Sequence, residues 1–163
     1  APAPVLHEGD QAEIEVDWPR RHRNMRCHTS THVINGALAK GVERYISEGI
    51  EVSEDGLIAT TRFEGAWPAT RESALAYVET SNALIAAGRG VTIAEYESLQ
   101  EAIARFGPIY RGPRDLKGPV SIVAVCDWDA NPCGGTHVRD AGEVGPLTLV
   151  DFSPDHIRFS LVP

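Results

Sequence analysis

The sequence predicts an α+β fold: a mostly antiparallel sheet with helices packed on one side. Three observations carry this. A helical pattern runs over residues 19 to about 47 and a second, amphipathic one over Arg71–Ala87. An Asp55-Gly56 pair between two β-like stretches is the strongest short-range sign of a hairpin. Residues 120–125 are apolar except for Ser121, which suits a buried strand. No repeat or linker interrupts the 163 residues, and 42% hydrophobic content supplies a core, so a single domain over 1–163 is expected.

Taken in order, residues 11–17 alternate, with Ala12, Ile14 and Val16 on one side and acids on the other, as in a half-exposed strand. Asp17 then serves as an N-cap and Pro19 as an early-turn residue of a helix. Within it Met25, Val33, Ala37, Val42 and Tyr45 are spaced to face a core, while His28, His32, Asn35 and Ala39 trace a neighbouring face. So long a helix in a small domain is expected to break, near residues 27–29 or at Gly41. Residues 49–64 read as the hairpin. Thr70 caps the second helix, in which Leu75, Val78, Ala83, Leu84 and Ala87 are spaced for burial, and Gly88-Arg89-Gly90 closes it. Residues 91–96 form a strand, 97–106 a short helix and 107–118 a loop punctuated by Pro and Gly. The buried strand 120–125 delivers Cys126, Asp127 and Trp128 straight into a loop, NPCGGTHVR, and residues 143–151 and 156–162 close the sheet.

Two spacings carry chemistry. His28 and His32 are four apart on the first helix, so both imidazoles can point at one spot; Cys133 and His137 are four apart in the loop. A tetrahedral zinc takes three or four nitrogen, sulfur or oxygen donors, so the two halves make one metal site if the fold joins them, HxxxH on a helix and CxxxH on a loop. Of six His and three Cys, these spacings use four. Gly134 and Gly135, between Cys133 and Thr136, read as a tight loop whose backbone approaches something closely. Cys126 is an alternative donor. Asp127 or Asp129 can orient a ligating imidazole through its second nitrogen, with loop capping the plainer role for Asp129.

The H-T-x-x-H motif after an Arg-rich lead (DWPRRHRNMRCHTSTH), together with D-W-x-x-N-x-C-G-G-T-H-V and a following G-E-V-G-P-L, resembles the alanyl-tRNA editing family. That family comprises the free-standing AlaX proteins and the related editing domains of alanyl- and threonyl-tRNA synthetases. The resemblance runs from about residue 9 to residue 162; its two motifs are highly specific, and the stretch between them matches in pattern only. It implies a zinc-dependent (Zn²⁺) hydrolase that removes a wrong amino acid, chiefly serine with glycine as a further candidate, from tRNA for alanine. The partner is then tRNA and not DNA. At this length the chain resembles the shortest free-standing editors, without the N-terminal barrel of longer members, so selection of the tRNA falls to the catalytic module or is relaxed.

Hydrolysing an aminoacyl ester needs an activated water and a stabilised oxyanion, and zinc can serve both. Four permanent ligands leave no open position, so a ligand is displaced, the metal becomes five-coordinate, or it mainly positions substrate; a purely structural zinc is the alternative. Because an activating site rejects serine in favour of alanine only weakly, an editor needs a polar group for the serine hydroxyl, and Thr29 is the candidate. Thr31, its neighbour, is expected to bond back to a helix carbonyl. Backbone N–H groups of Gly134, Gly135 and Thr136 are candidates to bind the oxyanion or the terminal ribose.

The net charge of −8 runs against a nucleic-acid partner. The basic residues are nevertheless clustered: Arg20, Arg21, Arg23 and Arg26 in one stretch without an acid, and Arg105, Arg111, Arg114 and Lys117 in another against Asp115 alone. Arg20, Arg21, Arg23, Arg26, Arg111 and Arg114 are the expected tRNA contacts, with an ordinary solvated helix face as the other reading. The acidity also favours a rival, hydrolysis of a small aminoacyl ester free of tRNA. No run approaches the roughly 18 apolar residues of a membrane span, and the N-terminus lacks the layout of a signal peptide. An odd number of cysteines argues for a reducing compartment, so a cytoplasmic protein with no membrane partner is expected. The first residue is Ala rather than Met, which reads as processing or trimming.

Overall fold

The computed structural model describes residue 5 and residues 7–162; residues 1–4 and 6 of the stretch read for a leader, and residue 163, lie outside it. Asp17 accepts a hydrogen bond from the Arg20 N–H and Pro19 sits in the first turn, which together start α1 (Trp18–Gly41). Of the two expected breaks only the one at Gly41 occurs. Residues 27–29 stay helical, and the polar side chains beside them bond back to the helix: Ser30 Oγ donates to the Cys27 carbonyl at 2.5 Å and Thr31 Oγ1 to that of His28 at 2.7 Å. All of residues 29–38 are buried, so α1 is enclosed on every side along that length. The helix does not continue to residue 47; Tyr45 reaches the core from the strand that follows.

That strand, β1 (Glu43–Val52), pairs antiparallel with β2 (Ile58–Ala66) as the expected hairpin, with Asp55 accepting from Ser53 Oγ and the Leu57 N–H in the turn. Thr70 and Ser73 form a capping box on α2 (Arg71–Ala87). The helix has the predicted bounds but a different buried stripe, Ala74, Val78, Ser81, Leu84 and Ile85, while Leu75, Ala83 and Ala87 are exposed. The stripe passes through Ser81, whose hydroxyl donates to the Tyr77 carbonyl at 2.8 Å, and a reading confined to apolar residues skips it.

Next come β3 (Val91–Tyr96), α3 (Leu99–Phe106), capped by Ser98, and β4 (Val120–Val125). β4 does not run into the ligand loop. It reverses at residues 126–128, with Cys126 at φ 42°, and returns as β5 (Asp129–Pro132). No Asn-Gly or Asp-Gly pair marks this turn, which is why it is silent in the sequence. Residues 141–144 form a 3-10 turn capped by Asp140, so the closing pair is β6 (Leu147–Ser153) and β7 (His156–Leu161). Residues 11–17 form no strand: they have no ladder partner among the described residues, and Ile14 and Val16 are 86% and 49% exposed. Alternation without a neighbour to pair with does not hold a strand in water.

The strands divide between a four-stranded sheet, β1-β2-β7-β6, and a three-stranded one, β3-β4-β5, both antiparallel. α1 packs on α2, β1 and β2, and α2 on β6, around Ile34, Leu38, Phe63 and Phe159; α3 covers the smaller sheet around Leu99, Ile122 and Tyr110. This is the α+β class with its helices against antiparallel sheet. One contact positions the functional region: Trp128 sets the Nε1 edge of its ring against α1, donating to the Val33 carbonyl at 2.8 Å, with Lys40 Nζ over the ring, 3.4 Å from its centroid. A Cβ on Gly36 would stand 2.1 Å from that ring. The bare helix backbone lets the β4–β5 turn dock, which aims the chain after β5 at His28 and His32. Among the described residues no helix is long and apolar enough to cross a membrane.

Candidate metal centre

The fold joins the two halves. Ligand atoms of His28, His32, Cys133 and His137 lie within 4.8 Å of one another, and Cys133 Sγ is 3.4 Å from both His28 Nε2 and His137 Nε2. A tetrahedral zinc, with bonds of about 2.3 Å to sulfur and 2.0–2.1 Å to nitrogen, sets its ligand atoms roughly 3.3–3.6 Å apart, so the donor set and the two Cys133 distances fit that ion. Cys126 is not in the group; its thiol donates to the Gly90 carbonyl.

Partners at the other ring nitrogens aim two of the imidazoles. His32 Nδ1 meets Asp129 Oδ2 at 2.8 Å, and His137 Nδ1 meets Thr29 Oγ1 at 3.2 Å, which leaves Nε2 of each ring for the cluster. Asp129, fully buried, therefore orients a ligand rather than capping the loop; Asp127 is exposed in the preceding turn. The loop closes over His28 because residue 135 has no side chain: a Cβ there would lie 2.0 Å from His28 Cε1. Gly134 meets no such neighbour.

The electrostatics suit a cation. Burial alone would raise the Cys133 thiol, but hydrogen bonds from His137, His28 and His32 bring it down to about 3, so it is a thiolate at neutral pH. Burial alone would lower His32, but its bonds to Asp129 and Cys133 raise it to about 9. His137 is lowered, by burial first and then by the neighbouring histidines. A cation replacing the shared proton finds a preformed anionic nest.

A cavity of about 290 Å³ opens beside the cluster. His28, His32 and Cys133 form one wall; Ile50, Pro113, Leu116 and Pro132 supply apolar surface; Asn35, Ser47 and Asn131 supply polar groups. Asn35 shares the helix face of the two histidines, as its spacing indicates. Asn131 was concealed with β5: on a strand, residues 129, 131 and 133 point to one side, and only that period links Asn131 to Cys133.

The remaining predicted residues are scattered. Thr29 is fully buried behind the cluster, accepts from the Val138 N–H at 3.2 Å and does not line the cavity, so its position is against a ligand histidine. Gly134 and Thr136 are exposed on the ligand loop. Arg20 and Arg21 are exposed on the first turns of α1, and Arg23 Nε reaches the Asp55 carbonyl at 3.4 Å. Arg26 is a tether: Nε and Nη2 donate to the Val144 carbonyl at 3.1 and 2.9 Å, and Nη2 to that of Val162 at 2.9 Å. Arg111 is half-buried and Arg114 exposed, on the loop whose Pro113 and Leu116 wall the cavity.

Sequence comparisons agree with this geometry. Residues 120–158 match the family model for the "threonyl and alanyl tRNA synthetase second additional domain". The chain is 33% identical over 147 residues to the alanine–tRNA ligase of Metallosphaera sedula and 33% over 148 residues to that of Aeropyrum pernix, covering 88% and 89% of this chain. The enzyme of Sulfurisphaera tokodaii is 32% identical over 151 residues. In each case the match spans 16% of the ligase, so the chain corresponds to one region of those relatives. The chain is thus similar, over nearly its whole length, to one region of alanine–tRNA ligases, and its two motifs meet in a metal-type His/Cys cluster, which supports the resemblance to AlaX-like editing proteins.

Proposed function

We propose that the chain is a single catalytic domain that hydrolyses the ester of mischarged tRNA for alanine, chiefly the seryl form, at a zinc site in the cytoplasm. The observation that carries this is the four-donor cluster opening onto a cavity of about 290 Å³. His28, His32, Cys133 and His137 would hold the ion, which when bound supplies a Lewis acid for the ester carbonyl and a lowered pKa for water. Asp129 and Thr29 keep His32 and His137 in register. Ile50, Leu116 and the two prolines keep bulk water off the aminoacyl end. The exposed Gly134 and Thr136, beside Gly135, border the terminal ribose. Arg20, Arg21 and Arg114, with Arg111 behind, meet the phosphates; Arg23 and Arg26 serve mainly to hold α1.

Deacylation of Ser-tRNA and Ala-tRNA for alanine, side by side and with or without a chelator, tests the proposal. Fast loss of serine, slow loss of alanine and abolition by the chelator are expected; inertness of metal-loaded protein toward both would sink it. The net charge of −8 favours one rival, hydrolysis of small aminoacyl esters free of tRNA, and activity on seryl-adenosine as fast as on Ser-tRNA would select that reading.

A further inference from the structure

Asn131 lies on β5 between Asp129 and Cys133 and is 5% exposed. Its amide has one orientation available. Both oxygens of Asp129 take its Nδ2, each at 2.9 Å, so Oδ1 is the opposite end. That oxygen is buried and has no hydrogen-bond partner, while the residue lines the cavity beside the metal ligands. Buried acceptors in native proteins are almost always satisfied, so one left without a partner, on a residue that lines the cavity, marks the place of a donor on a ligand.

We propose that Asn131 Oδ1 receives the α-ammonium group of the aminoacyl ester, so that the site reads a free amino group as well as an ester. This rests on the deacylase reading and adds the feature by which the substrate class is recognised. The ammonium sits on the carbon bonded to the ester carbonyl, and Asn131 sits two residues from Cys133; a carbonyl brought to the cluster carries its amino group to that wall. The charge also fits. The forked hydrogen bond from this amide to the carboxylate draws electron density toward Oδ1 and strengthens it as an acceptor. Among the described residues the cavity is lined by Glu48 but by no Lys or Arg. The other buried amide offers the opposite polarity: Asn35 Oδ1 already accepts from Tyr45 at 2.7 Å and Thr61 at 2.6 Å, which leaves its Nδ2, a donor, on the cavity side beside Ser47. A purely structural Asn131, serving only to hold Asp129, would be indifferent to the substrate's amino group.

The test compares Ser-tRNA with N-acetyl-Ser-tRNA as substrates of the wild type and of Asn131→Leu, together with calorimetric binding of the non-hydrolysable 3′-seryl-amido-adenosine and its N-acetyl form. In the wild type kcat/KM on the acetylated substrate is expected to be lower by about 10–100-fold, the worth of a hydrogen bond to a charged group. Asn131→Leu should lose a similar factor on Ser-tRNA and retain the acetylated rate to within about threefold, its metal content being unchanged. Equal wild-type rates on the two substrates, a comparison that needs no variant, overturn the assignment while leaving the deacylase reading intact. So does a variant that keeps the preference. If the wild type hydrolyses neither, the deacylase reading falls and the analogues decide: tighter binding of the free amine by wild type alone sustains the role of Asn131, and equal or absent binding ends it.

Discussion

Asp129 sets which nitrogen of His32 faces the cluster, and it also supports the proton that His32 carries when no metal is bound. Asp129→Asn is expected to weaken zinc binding by about 10–100-fold, measured by competition with a chromophoric chelator. The same carboxylate shapes stability against pH in the metal-free protein. His32 is raised from 6.5 to about 9, so its contribution is complete below 6.5 and is lost as pH rises through 9. Cys133 is lowered from 9.0 to about 3, so its contribution is complete above 9 and is lost as pH falls through 3. Between 6.5 and 9 the two slopes oppose each other and stability is nearly flat. Asp129→Asn removes the main support of protonated His32, so its urea midpoint should rise from pH 7 to pH 9; an unchanged flat profile would contradict this account.

Elements carry the residues to their places, and here some of the fold was legible in the sequence and some was not. The four residues of the cluster could be read because their spacings are short and each pair lies within one local unit. Asp17, Thr70 and the Asp55-Gly56 turn were legible for the same reason, since each acts on residues within a few positions. β5 and its turn at Cys126 were not legible: that reversal is held by Trp128 docking on Gly36, a contact with no local signature; Asn131 was hidden with it, and Asp129, though named as able to orient an imidazole, was given loop capping as its plainer role. Arg26 was read by charge, but its surroundings are set by two carbonyls from the distant C-terminal part. Arg26→Ala should therefore destabilise the protein by about 1–3 kcal/mol, because the carbonyl of buried Val144 loses its donors. Arg20→Ala, exposed, should change stability by less than about 0.5 kcal/mol. Urea titration separates the two. Gly135→Ala drives a methyl into His28 and is expected to cost about 1–3 kcal/mol and to lower bound zinc, read by melting and metal analysis.

At the scale of the whole molecule, the proposed function has an acidic body approach an acidic nucleic acid through a few exposed arginines. If Arg20, Arg21 and Arg114 each neutralise one phosphate, tRNA affinity should fall about 30-fold between 50 and 200 mM salt. A filter-binding series that stays flat would remove these contacts. The geometry of the metal cluster also has a consequence in time. Cys133 lies 105 positions after His28, and a ribosome adding about 5–20 residues per second makes it some 5–20 s later. For most of that interval the nascent chain presents a bare pair of histidines, their helix already synthesised, able to grip a passing metal only loosely. The cluster therefore forms only after most of the chain has been made, and a product cut short before Cys133 would carry half a site and no means of completing it.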